Sequence, residues 1–224
     1  MFSCGEVVIF PSRTQVNKIM PKARFMKLAE LSTASRNELN ENVERLIISN
    51  TLREDTLNIK KGTYVSEIDV FEILLRTKNL SDRLIKEIDS LIPKNIIYVL
   101  KNENMAQLVV SYKEKSLNSS KYKVIKIYRS EWKNYDDITL DINGLNLDVI
   151  FNNLLAQIAD TKVNVSENST IKEAVEQSID VEKLTRKIEQ LQNKIRKEPQ
   201  FNKQLELKKE LKRLTEKLKE VNIN

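Results

Sequence analysis

Two apolar runs in the last quarter of the chain constrain its fold more than any other feature. Val181, Leu184, Ile188, Leu191 and Ile195 recur at alternating steps of three and four, and so do Leu207, Leu211, Leu214, Leu218 and Val221. That spacing puts each run on one stripe of an α-helix, and such a stripe has to be buried against something. Ile195 and Leu207 are twelve positions apart, which breaks a seven-residue register, and Pro199 lies between them. Proline interrupts a helix because it lacks an N–H and crowds the preceding turn. Two helices joined near residues 197–202 and folded as an antiparallel hairpin bury both stripes within one chain. A dimeric coiled coil with a stutter is the alternative. Phe201 is the only aromatic residue of this arm and falls at the bend. The expectation is that it caps the hairpin by packing between the helices; the other role open to it is anchoring the arm to a partner.

The arm also carries the whole charge excess of +6. Between Glu182 and Glu220 thirteen Lys and Arg stand against seven Glu, so the remainder of the chain is balanced. Lys194, Arg196, Lys197, Lys208, Lys209, Lys212 and Arg213 are the candidates for meeting nucleic-acid phosphates. Leu184, Ile188, Leu191, Phe201, Leu207, Leu211, Leu214 and Leu218 are the candidates for docking on a protein. Interleaved Lys and Glu also suit the solvated outside of an ordinary coiled coil.

Several chemistries are excluded by residue type. The chain has no histidine and a single cysteine, Cys4. Zinc sites of nitrogen and sulfur ligands, Ser-His-Asp and Cys-His catalysis, and an intrachain disulfide are therefore absent. No Walker A or dinucleotide fingerprint surrounds the scarce glycines, and Gly62 and Gly144 read as turn residues. No run approaches the roughly 18 apolar residues of a membrane span. The first residues lack the basic and then apolar pattern of a secretion signal, so the chain is expected in the cytoplasm.

Residues 1–160 read as an α+β head with a mainly antiparallel sheet, 161–170 as a polar linker and 171–224 as the basic arm. In the head, strands are expected over 6–10, 56–59, 65–76, 95–100, 107–112 and 121–128, and residues 11–22 are expected to break the first. Helices are expected from Pro21 to about Ala29, from an N-cap at Ser35 with Glu38 as its box partner to about Asn50, from Ser81 to Pro93, and over 146–159.

One strand carries three acids, Glu67, Asp69 and Glu72. With Glu44 on the expected earlier helix and Lys113 and Lys115 on a later strand, they outline a carboxylate–Mg²⁺ nuclease. The pattern offers Leu74 where the water-activating lysine belongs, and strand alternation sends Glu72 to the opposite face. Pairing of Glu67 and Asp69 with a basic neighbour is the structural alternative. Mg²⁺ enters only through the nuclease reading, and no other cofactor is expected. Tyr98, Tyr112, Tyr122, Tyr128 and Trp132 alternate with Lys101, Lys113, Lys121, Lys123 and Lys126, a pattern shared by single-strand-binding sheets and by ordinary half-exposed ones.

Four stretches, Val16–Lys22, Glu67–Ile73, Gly144–Asp148 and Ile195–Asn202, together resemble the bacterial domain-of-unknown-function family numbered 4391 over nearly the whole chain. Pro199 departs from the helix-compatible residue expected there. The resemblance implies a setting beside DNA methyltransferase and helicase subunits of restriction–modification and other phage-defence loci. The leading expectation is a non-catalytic accessory or scaffold subunit that holds a larger protein, such as a methyltransferase or helicase, through its arm. A metal-dependent nuclease and a direct nucleic-acid-binding protein are the alternatives, and a second copy of the chain is a further potential partner.

Overall fold

The computed structural model describes residues 10–28, 31–116, 121–160 and 171–223, with side chains through residue 219 except that of Leu28. The chain divides into two units, Met1–Asp160 and Thr161–Asn224. It is a mixed α/β protein whose sheet is mostly antiparallel and whose C-terminal part is helical. Cys4, residues 6–9 of the expected first strand, Ala29 and the expected linker 161–170 lie outside the described residues.

The first unit contains β1 (Gln15–Ile19), α1 (Lys22–Leu28), α2 (Thr33–Asn42), β2 (Val43–Leu52), α3 (Glu54–Leu57), β3 (Ile68–Leu75), α4 (Asp82–Leu91), β4 (Asn95–Asn102), β5 (Met105–Lys115), β6 (Tyr122–Arg129), β7 (Lys133–Asn134) and α5 (Leu147–Ala159). The sheet runs β1-β2-β3-β4-β5-β6, with β7 paired to the start of β5. Among the described strands only β3 and β4 pair in parallel, and α4 supplies the crossover such a pair requires. Phe71, Ile73, Leu75, Tyr98, Leu100 and Val109 meet Leu84, Ile85 and Ile88 of α4 and Leu39 of α2 in one core. The opposite face, with Leu108 and Val110, is covered by α5 through Leu147, Ile150, Leu154 and Ile158.

Four local expectations are corrected. Residues 15–19, expected to interrupt structure, form the edge strand β1, every residue of which is exposed. The helix expected to reach Asn50 ends at Asn42, and Val43–Leu52 is a strand that carries Glu44. Residues 56–59 do not form a strand; Thr56 lies in α3, where its hydroxyl accepts the Arg53 N–H, and Asn58 follows in the left-handed region at φ 56°. The cap of α2 is Ser32, whose hydroxyl accepts the Ser35 amide, and Glu38 serves a different helix. It receives the amide and hydroxyl of Ser81, the N-cap of α4. Glu87 of α4 in turn receives the hydroxyl and amide of Ser32 at 2.7 and 2.9 Å.

The second unit is the pair α6 (Ile171–Lys197) and α7 (Phe201–Ile223), which pack against each other as a hairpin. Pro199 sits in the break, where a residue that discourages helix before it is in place. Glu198 closes the turn: its carboxylate accepts the Gln200 amide at 3.1 Å and its carbonyl accepts the Gln204 side chain at 2.6 Å.

Candidate functional site

Because β3 and β4 are parallel, both start at the end of the sheet where α4 finishes, and polar side chains gather there. Asp69 points to the α4 face, as alternation from Phe71 requires, and Glu67, expected on the strand, lies one residue ahead of it. Lys94, just ahead of β4, lies 2.8 Å from Glu67 Oε1 and 3.2 Å from Asp69 Oδ2. Asp69 Oδ1 accepts the Thr51 hydroxyl from β2 at 2.8 Å. Partial burial works against the Lys94 ammonium, but the two carboxylates outweigh it and hold its pKa above the ordinary 10.5.

A second knot adjoins the first through the Lys94 carbonyl. Lys113 of β5 donates to that carbonyl at 2.7 Å, to the Ile92 carbonyl at 2.8 Å, and to Asp89 through its carbonyl and carboxylate at 3.1 and 3.2 Å. It thereby caps the C-terminal end of α4, the end a cation favours. Its side chain is 2% exposed and that of Asp89 is 0% exposed. The other Asp89 oxygen receives the Ser111 hydroxyl. Burial pushes the Asp89 carboxyl up and the Lys113 ammonium down, each opposed by the partner's charge. The Tyr98 hydroxyl is enclosed beside Asp89 without a hydrogen bond of good geometry, and burial followed by the Asp89 charge pushes it well above its ordinary value.

The three acids of the expected nuclease are not brought together. Glu72 points to the face covered by α5, where Lys101 holds it at 2.7 Å and in turn lies 3.7 Å from the centre of the Tyr135 ring. Glu44 and Lys115 are exposed elsewhere. Among the described residues no group of three or more Asp, Glu, Cys or His side chains is arranged to hold a metal. The aromatic–lysine pattern is divided too: Tyr98, Tyr128 and Lys113 are buried.

Sequence reasoning missed Lys94, Asp89, Ser111 and the task of Asp148. One signal was present. Asp89 falls between Ile85 and Ile92 on the buried stripe of α4, where a carboxylate requires a partner. Asp148, inside one of the four family stretches, accepts the backbone N–H groups of Thr63, Tyr64 and Val65 at 2.7, 3.1 and 2.7 Å. Asn146 beside it caps α5 by accepting the Val149 amide.

In the arm, Leu191 and Leu214 are buried, while Leu184, Ile188, Leu207, Leu211 and Leu218 are half-buried. The side chain of Val221 lies outside the described residues. The seams therefore run along the contact between the two helices of the hairpin. Phe201 does not cap the hairpin; it opens α7 and is 72% exposed, and Leu205 is 47% exposed. Lys194, Arg196, Lys197, Lys208, Lys209, Lys212 and Arg213 are all exposed. Among them Lys212 lies 4.0 Å from Glu216, and Arg196 donates to Asn193.

These features define a mixed α/β head joined to a helical hairpin, with its polar groups tied into the fold. The chain belongs to the family described as Domain of unknown function (DUF4391), whose model matches residues 9–218. No curated protein and no solved structure matches it. No helix among the described residues is long and apolar enough to cross a membrane.

Proposed function

We propose that this chain is a non-catalytic accessory subunit of a cytoplasmic bacterial DNA-processing or phage-defence complex, and that it holds a larger protein through the outer face of α7. The observation carrying this reading is a second stripe on that helix. Phe201, Leu205, Lys208 and Lys212 follow at steps of four, three and four, all exposed. At 3.6 residues per turn they share one face, while Glu206 and Glu210 fall well round the helix. The leucines of the seam are occupied within the hairpin, so affinity rests on Phe201 and Leu205. The lysines set orientation and the rate of approach. The family's setting makes a DNA methyltransferase or helicase subunit the expected partner, with Lys194, Arg196 and Lys197 turned toward nucleic acid.

Purification of the tagged chain from its native operon tests this. Full-length protein is expected to bring such a subunit with it. Deletion of residues 170–224 is expected to abolish the complex while the head keeps its circular dichroism, and Phe201→Ala with Leu205→Ala to weaken it at least about tenfold, the scale of a hot-spot pair. Recovery of the same subunit with the deleted chain would show that the arm is not the contact.

A further inference from the structure

A separate apolar surface lies on the head, where residues 60–65 meet the start of α5. Tyr64 is 91% exposed and Leu145 is 90% exposed, with Val149 at 39%. Exposed apolar side chains on a slack loop would be unremarkable, but this loop is held from several directions. The Lys60 carbonyl accepts the Leu147 amide at 3.1 Å, and Lys60 bridges Asn146 as a parallel pair. The Gly62 amide donates to the Val65 carbonyl at 2.9 Å, closing the turn. Asp148 gathers the three following N–H groups. Gly62 is needed for this approach, because a Cβ there would collide with the Asp148 carboxylate and stand 2.7 Å from the Asp148 amide nitrogen. The turn thus holds Tyr64 in solvent although the ring gains nothing from being there.

Charge around the patch is net positive, two lysines against one carboxylate. Lys60 and Lys61 are exposed and make no ion pair among the described residues, while the Asp148 carboxylate is directed at backbone amides. An apolar centre with a cationic border fits a peptide segment in which an aromatic or aliphatic side chain is flanked by carboxylates. Two aliphatic groups and one ring suit such a side chain better than single-stranded nucleic acid, which is held by successive stacking platforms. We infer that Tyr64, Leu145 and Val149, bordered by Lys60 and Lys61, form a docking site on the head for an acidic, apolar-anchored peptide segment of a partner protein. Because the turn is already ordered, binding there carries little further ordering cost.

The test is a titration of isotope-labelled full-length chain, followed by amide chemical shifts. The probes are a synthetic Asp-Glu-Leu-Phe-Asp-Glu peptide, its Lys-Lys-Leu-Phe-Lys-Lys counterpart and a ten-nucleotide oligothymidylate. The acidic peptide is expected to give saturable shifts confined to residues 60–65 and 145–149. Affinity should fall at least fivefold in Tyr64→Ala, and in Lys60→Glu with Lys61→Glu. The arm takes no part in this readout, so it stands or falls independently of the function proposed above. Equal binding of the basic peptide, shifts produced by the oligonucleotide instead, retention of binding in Tyr64→Ala, or no shift at this patch would each overturn the inference.

Discussion

Lys113 has every ammonium proton directed into the protein, onto three carbonyls and one carboxylate. The pair it makes with Asp89 is enclosed, so removing one member leaves a buried charge without its counterpart. Lys113→Met is expected to lower stability by about 3–5 kcal/mol, read from urea unfolding. Asp89→Asn combined with Lys113→Met should lose less than Lys113→Met alone, because no uncompensated carboxylate remains. A double variant as unstable as the sum of its singles would show that the two side chains act separately. From sequence, Lys113 belonged to the outline of a nuclease and to the aromatic–lysine pattern; its burial, and its place beneath the end of α4, depend on pairing between β4 and β5 that no local pattern specifies.

At the scale of elements, α2 and α4 exchange the acids that hold their caps. Partial burial opposes the Glu87 carboxylate, but the hydroxyl and amide of Ser32 prevail and hold its pKa below the ordinary 4.5. A carboxylate with a lowered native pKa stabilises the fold above its unfolded value, and that contribution is lost as pH falls through the native one. Glu87→Gln is therefore expected to flatten the acid limb of stability against pH and to leave the limb above pH 7 unchanged. Ser81→Ala removes the cap and the hydroxyl's bond to Glu38 while keeping the amide's, at a cost of about 1–2 kcal/mol.

The same scale shows what the sequence could reveal. Helices α4 and α5 were legible because each buries one stripe, and β3 because both its faces are covered. The strand β2 was not. Its register shifts between Val43 and Arg45 and again between Ile48 and Asn50. Each shift resets the two-residue alternation, leaving Val43, Leu46 and Ile47 at steps that imitate a helix. β1 lacks a buried face altogether, so it carries no alternation to read. For the candidate site, the basic stripe was legible as composition. The separation of seam from outer face was not, since it depends on which apolar residues the two helices cover for each other.

For the whole molecule, the helices of the arm matter through their length as much as their chemistry. The 27 residues of α6 at 1.5 Å each carry the bend roughly 40 Å from the helix start. Removing seven residues from α6 and seven from α7 would preserve both stripes while bringing Phe201 about 10 Å closer to the base of the arm. Under the proposed function such a shortened hairpin should stay helical by circular dichroism yet fail to retain the partner; unchanged retention would mean that distance is immaterial. A seam closed within one chain makes the arm a ruler: its graduations are turns of helix, and a change in span demands paired insertions or losses, one on each side of Pro199.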